Sequence, residues 1–227
     1  MIPTYSVVIP AFNAAETLHE AVHSVEKQTI RPACIIVVDD GSTDHTARLA
    51  ASFNSVRLIS KSNGGPGSAT TAGIDVVDTP YFATLDSDDI WLPNKMERQL
   101  AVMEKDPTLA GCFSHASMFR HEEGMDNILP ADPVRLWTRT TMVFRTADAM
   151  KIGPMHDFPG YLGDLVDWLG RSREMGQKHM MLDDMLALRR IRKGSLSDTK
   201  DANRTRGYLH AAFEAMKRRQ KMLPSGD

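Results

Sequence analysis

Four short apolar runs early in the chain decide most of what it can fold into. Tyr5–Ile9, Cys34–Val38, Val56–Ser60 and Tyr81–Leu85 are each of strand length, and helical patterning separates them. After the first run, Leu18, Ala21, Val22 and Val25 recur at helical spacing. Asn13, with Glu16 three residues on, reads as a capping box opening that helix. Asn63–Gly67 is a turn ahead of a small-residue helix to about Val77, and Pro93 suits the first turn of a helix to about Lys105. Strand, helix, strand at this spacing builds βαβ units and a mainly parallel, doubly wound sheet. The run CIIVV is apolar throughout, as a parallel strand covered on both faces must be.

In such sheets ligands bind beyond the carboxyl ends of the strands. Three polar clusters fall at those ends: Pro10–Glu16, Asp39–Asp44 and Asp86–Asp89. The last, Asp86-Ser87-Asp88-Asp89, packs three carboxylates into four residues. Like charges that close need compensation. A hard divalent cation such as Mg²⁺ or Mn²⁺ supplies it while keeping positions for phosphate oxygens. A solvated turn with capping aspartates is the plainer reading of the same residues. Asp39 ends a buried run, and a carboxylate there can accept a nucleobase N–H or a ribose hydroxyl, or simply cap the next helix.

Beyond residue 108 the pattern loosens. Leu109–Phe119 reads as a strand, His121–Pro133 as a loop and Thr140–Phe144 as β-prone. Tyr161–Met175 is helical, Met180–Leu188 is ambiguous and Asp201–Met222 is a basic helix. Residues 188–227 hold 11 Lys/Arg against 4 Asp/Glu, while residues 1–187 hold 16 against 25. That asymmetry fits a solvated helix face, or contact with phosphate-bearing material.

At 227 residues, 42% hydrophobic and 25% charged, the chain can bury a core without disulfides or structural metal, which excludes disorder. Cys34 and Cys112 sit in apolar stretches and read as small buried hydrophobes. No apolar run approaches the ~18 residues of a membrane span. The first residues lack the basic and apolar regions of a secretion signal, so a cytoplasmic location is expected.

Together, Val8–Asn13, Val37–Asp44 and Leu85–Asp89 with Trp91, Pro93 and Lys95 resemble the family 2 glycosyltransferases, in that family's order and spacing. The resemblance implies a GT-A fold, with a Rossmann-like, mainly parallel sheet flanked by helices and a smaller mixed region on the acceptor side. It implies one catalytic domain over residues 1–197, divided into a nucleotide-binding half (1–108) and an acceptor half (109–197), with 198–227 as a basic helix and tail. It also implies inverting, metal-dependent transfer from a nucleotide diphosphate sugar, most often a UDP-sugar, to a glycan, lipid-linked or peptide hydroxyl.

By position, Pro10, Phe12 and Glu16 would line the nucleobase and ribose pocket, and Asp39 would accept from the base. Asp86, with Ser87 beside it, would meet the ribose or base, and Asp88 would hold the Mn²⁺ or Mg²⁺ bridging the phosphates. The stretch Gly160–Arg173 matches the helix carrying the family's base, which makes Asp164 the base, with Asp167 one turn on as the alternative. Trp168 reads as a core or wall residue. Arg190-Ile191-Arg192 resembles an R-x-H element near the diphosphate, with Arg192, which can still neutralise phosphate, in place of His and Lys193 as a further cation beside it.

Four positions depart from the family pattern: Thr70 and Thr71 replace an Arg-Asn pair, Gly163 replaces an acidic residue, and Arg192 replaces a histidine. They leave open a degenerate module that binds a nucleotide sugar or a protein without turnover. A sugar nucleotidyltransferase would need a Gly-rich, Arg-bearing loop after the first strand, which PAFNAAE is not. A dinucleotide-dependent dehydrogenase would need G-x-G-x-x-G there. No nucleic-acid partner is expected. The basic helix allows a membrane-surface contact or a homodimer.

Overall fold

A computed structural model describes residues 3–120, 132–191 and 202–222. Strands β1 (Tyr5–Ala11), β2 (Cys34–Asp39), β3 (Val56–Ser60) and β4 (Tyr81–Thr84) lie parallel in the order β3-β2-β1-β4. Helices α1 (Leu18–Glu26), α2 (Thr46–Ala51) and α3 (Pro66–Ile74) make the crossovers. Between β3 and β4 the chain passes to the far side of β1, so the sheet's switch point lies between β1 and β4.

Side chains alternate across β1 and β2. Val7, Ile9, Ile35 and Val37 pack with Leu18, Val22 and Val25 of α1 and with Met96, Leu100 and Met103 of α4 (Lys95–Lys105). Val8, Ile36 and Val38 face the opposite layer. There they meet Ala69 and Ile74 of α3, Ile152 of α5 (Thr146–Ile152), and Leu165 and Trp168 of α6 (Asp164–Glu174). Both faces are covered, which is why these strands are apolar throughout rather than alternating.

The second half extends the sheet with mixed polarity. The strands are β5 (Ile90–Trp91), β6 (Leu109–Arg120), β7 (Val134–Arg135), β8 (Val143–Arg145) and β9 (Lys178–Ile191). β8 joins β4 antiparallel, β6 pairs antiparallel with β8 and parallel with β9, and β5 and β7 pair antiparallel with β9 and β6. The ambiguous stretch Met180–Leu188 is therefore strand, one bulged against β6. The basic helix α7 (Ala202–Met222) packs on α6 and on the short turn Pro159–Tyr161.

The expected cap at Asn13 is not where the first helix begins. α1 starts at Leu18 behind Thr17, and Asn13 lies in the left-handed region at φ 48°. Its Oδ1 accepts the Thr43 N–H at 2.8 Å and its own N–H donates to Ser42 Oγ at 2.9 Å. Asn13 thus ties the loop after β1 to the loop after β2.

Lys95 is fully buried, with its Nζ 4.1 Å over the Trp91 ring and no carboxylate paired to it among the described residues. Burial pulls its amine down to about 7. The unfolded chain, with an ordinary lysine near 10.4, binds a proton the fold resists between about pH 7 and 10.4. The resulting penalty is full below pH 7 and fades as pH rises through that window. Lys95→Met should therefore stabilise the protein by roughly 4–5 kcal/mol at pH 6 and by about 1 kcal/mol or less near pH 10. Urea unfolding of both proteins at the two pH values reads this directly, and an equal effect at both would refute it.

Candidate active site

The polar ends of β1, β2 and β4 come together at one edge of the sheet, because Ala11 is opposite Asp39 and Val8 opposite Thr84. Pro10 is buried within β1, Phe12 is 49% exposed just past it, and Glu16 is exposed on the following loop. Asp39 is buried and accepts the Ser42 N–H at 3.3 Å. Its neighbour Asp40 is buried with a different task. Asp40 accepts the N–H groups of Gly64 (3.0 Å) and Gly65 (2.8 Å) and pairs with Lys61 at 2.7 Å, so it pins the glycine loop that opens α3.

The acidic cluster after β4 is divided by environment. Asp86 is half-buried, and its Oδ1 accepts from Arg139 Nε at 2.9 Å. Asp89 is buried, accepting from Thr140 Oγ1 and, at 2.8 Å, from the Arg190 N–H. Burial, then the charges of Asp88 and Asp86, push the Asp89 carboxyl well above the usual range. Ser87 and Asp88 are half-buried on the turn between them.

Arg139 is the residue that sequence reasoning missed. Its Nε serves Asp86 and its Nη1 pairs with Asp164, the first residue of α6. One guanidinium thereby joins the carboxylate expected to face the nucleotide to the carboxylate expected to be the base. Burial opposes the charge on Arg139, but Asp164 and Asp86 outweigh it and hold the group firmly protonated. The turn Arg139–Thr141 is anchored at both ends. Thr84 Oγ1 donates to the Arg139 carbonyl at 2.7 Å, and Trp91 Nε1 donates to the Thr140 carbonyl at 2.8 Å. The Trp of the third motif thus positions the turn that delivers Arg139 and Thr140 to the aspartates.

The other expected site residues are placed as follows. Asp167 is buried away from this bridge, paired with Arg171 (3.0 Å) and with Arg218 of α7 (2.7 Å). Trp168 is a core residue, edge-on to Phe144 with its Nε1 donating to the Gly153 carbonyl at 2.9 Å. Arg190 is buried, with its Nε donating to the Asp88 carbonyl at 2.7 Å and its Nη2 paired with Glu20. It braces the acidic turn from behind. Arg192 and Lys193 lie outside the described residues. Asp157 accepts the N–H groups of Gly67 (2.9 Å) and Ser68 (2.6 Å) at the start of α3. Burial raises its carboxyl, the two N–H groups oppose that, and Asp164 adds to it.

The Gly163 departure has a steric reason. Gly163 has φ +99°, and a Cβ there would sit 2.7 Å from the Gly207 carbonyl oxygen. A Cβ on Gly207 would sit 1.9 Å from the Leu162 carbonyl oxygen. Two glycines let α7 cross the start of α6 backbone on backbone.

An open α/β sheet with convergent carboxylates at its switch point defines a nucleotide-binding architecture of the GT-A kind. The description Glycosyl transferase family 2 matches residues 6–161, and the chain belongs to that family as a glycosyltransferase domain. An uncharacterized glycosyltransferase of Rickettsia prowazekii is 40% identical over 104 residues, covering 45% of this chain and 33% of the relative. Chondroitin synthase of Pasteurella multocida is 38% identical over 117 residues, covering 50% of this chain and 12% of the synthase. The chain thus spans a third or less of these relatives. The crystal structure of S. aureus TarS 1–349 in complex with UDP-GlcNAc superposes with a TM-score of 0.74 at 16% identity. That match covers 93% of this chain and 65% of TarS 1–349, and it establishes the GT-A fold.

Proposed function

We propose that this chain transfers a sugar from a nucleotide diphosphate donor, of the UDP-sugar type, to an acceptor hydroxyl with inversion at the anomeric carbon. The observation that carries the reading is the Asp86–Arg139–Asp164 bridge at the carboxyl ends of β1 and β4. In this reading one shared cation would hold the donor-side carboxylate and the base together. The nucleoside would lie over Pro10, Phe12 and Glu16, with Asp39 accepting from the base and Asp86 and Ser87 facing the ribose. The UDP-GlcNAc held by TarS supports a donor of this chemistry. The chondroitin synthase likeness supports a glycan hydroxyl as acceptor, ahead of a lipid-linked sugar or a peptide.

Asp164 would take the proton of the acceptor hydroxyl as it attacks. Arg139 would fix which carboxylate oxygen faces the acceptor. Asp167, held by Arg171 and Arg218, would keep α6 in place.

Among the described residues no three His, Cys, Asp or Glu side chains form a set able to hold a metal on their own. Asp86 and Asp89 are engaged by Arg139 and by Thr140 with Arg190. Asp88, on the turn between them, would supply a carboxylate oxygen to a Mg²⁺ or Mn²⁺, with diphosphate oxygens and water completing its shell. Such an ion would neutralise charge on the departing diphosphate.

Calorimetric titration of UDP, GDP and dTDP, with and without Mn²⁺, tests the donor site. UDP should bind at least about tenfold more tightly with Mn²⁺, and Asp88→Ala should remove that gain. Folded protein that binds none of the three would overturn the reading in favour of a degenerate module.

A further inference from the structure

The outward face of α7 has no role in the site. Gly207 and Ala211 are buried against the body, and Arg218 reaches inward to Asp167 and Glu174. On the opposite side Leu209, Phe213 and Met216 form an apolar ridge at helical spacing, 69%, 54% and 58% exposed. Exposed cations flank it: Arg206 and Lys217 on one side, Arg219 on the other, and Lys221 a turn beyond. The Lys217 Nζ lies 4.5 Å over the Phe213 ring, a cation–π contact at the border of the ridge. Glu214 is the one acidic residue between 206 and 221, and it is paired to Lys217 at 2.8 Å.

We infer that this face of α7 lies on an anionic lipid surface, with the ridge in the headgroup boundary and the flanking cations among the lipid phosphates. The charge pattern selects the occupant. A ridge bordered by cations is complementary to an anionic interface. A second copy of the same helix laid against it would bring Arg206, Arg219 and Lys221 against like charges. The body, with 25 Asp/Glu against 16 Lys/Arg over residues 1–187, is repelled by such a surface, so α7 must face it and the acidic body must face away. Lipid contact itself does not depend on the transfer reading. Joined to that reading, it sets the membrane across α7 from the start of α6, because Gly207, on the opposite face of α7, touches Leu162 and Gly163.

Co-sedimentation of the full chain with phosphatidylcholine vesicles, with and without about 30% phosphatidylglycerol, tests this. The chain should pellet with the anionic vesicles and not with the neutral ones. Raising salt from about 0.1 M to about 0.5 M should weaken binding severalfold. The triple variant Leu209→Ser, Phe213→Ser, Met216→Ser changes exposed positions only and should keep its UDP titration while losing vesicle binding at least about tenfold. Asp164→Asn should pellet like the parent, which separates lipid contact from catalysis. Equal pelleting with neutral vesicles, no pelleting, or binding that survives the triple substitution would each overturn the proposal. So would a parent mass of twice the chain by light scattering that halves in the triple variant, since the ridge would then be a dimer contact.

Discussion

Arg139→Met should be the most damaging single substitution in this chain. The side chain is shared by Asp86 and Asp164, and all three are at least largely withdrawn from water. Removing the cation leaves two facing carboxylates without their counter-charge. Breaking a buried ion pair from one side costs about 3–5 kcal/mol. In a chain of this size that lowers the melting temperature by about 10 °C. Transfer should fail as well, because nothing then orients Asp164. Arg139→Lys should rescue little, since a point charge cannot hold two carboxylates with separate nitrogens. The decisive measurement is a double-mutant cycle in urea. Arg139→Met in an Asp164→Asn background should cost clearly less than in the parent, because one uncompensated charge is gone. Additive costs would mean that the bridge is not a unit.

Asp164→Asn should separate binding from chemistry. Asparagine keeps the shape and can still accept from Arg139, yet it cannot take a proton. Donor-dependent release of UDP in the presence of acceptor should fall by about 10²–10⁴, the range over which a positioned general base contributes. UDP affinity should stay within about twofold. Substantial turnover in this variant would move the base to another group, and Asp157, close enough for its carboxyl to feel the Asp164 charge, would be the next to replace.

The parallel half of the fold was readable because its signals are local. Buried strands such as CIIVV, and helices with one apolar face, need no distant partner to be recognised. The second half was not, because β6, β8 and β9 acquire their neighbours only through long crossovers, and Met180–Leu188 has no strict period of its own. The site divides in the same way. Asp39, Asp86 and Asp88 announce themselves as carboxylates at strand ends. Arg139 does not, lying in WTRTT more than fifty positions from Asp86. The one available clue was charge balance. Three clustered carboxylates demand cations, and a guanidinium meets that demand as well as a metal does. Gly163 looked like a lost acidic residue, since the helix that requires it arrives from residue 207.

That glycine crossing ties the fate of two distant segments. Side chains at an interface can change rotamer and absorb a small displacement, but peptide groups in direct contact have no such slack. Any shift of α7 must therefore move Leu162 and Gly163 with it, and Asp164 is the next residue. The Arg218 pairs to Asp167 and Glu174 reinforce the seam about one and three turns further along α6. The start of α6 and the middle of α7 thus belong to one cooperative unit, which opens and closes as a whole rather than fraying from the C-terminal helix inward.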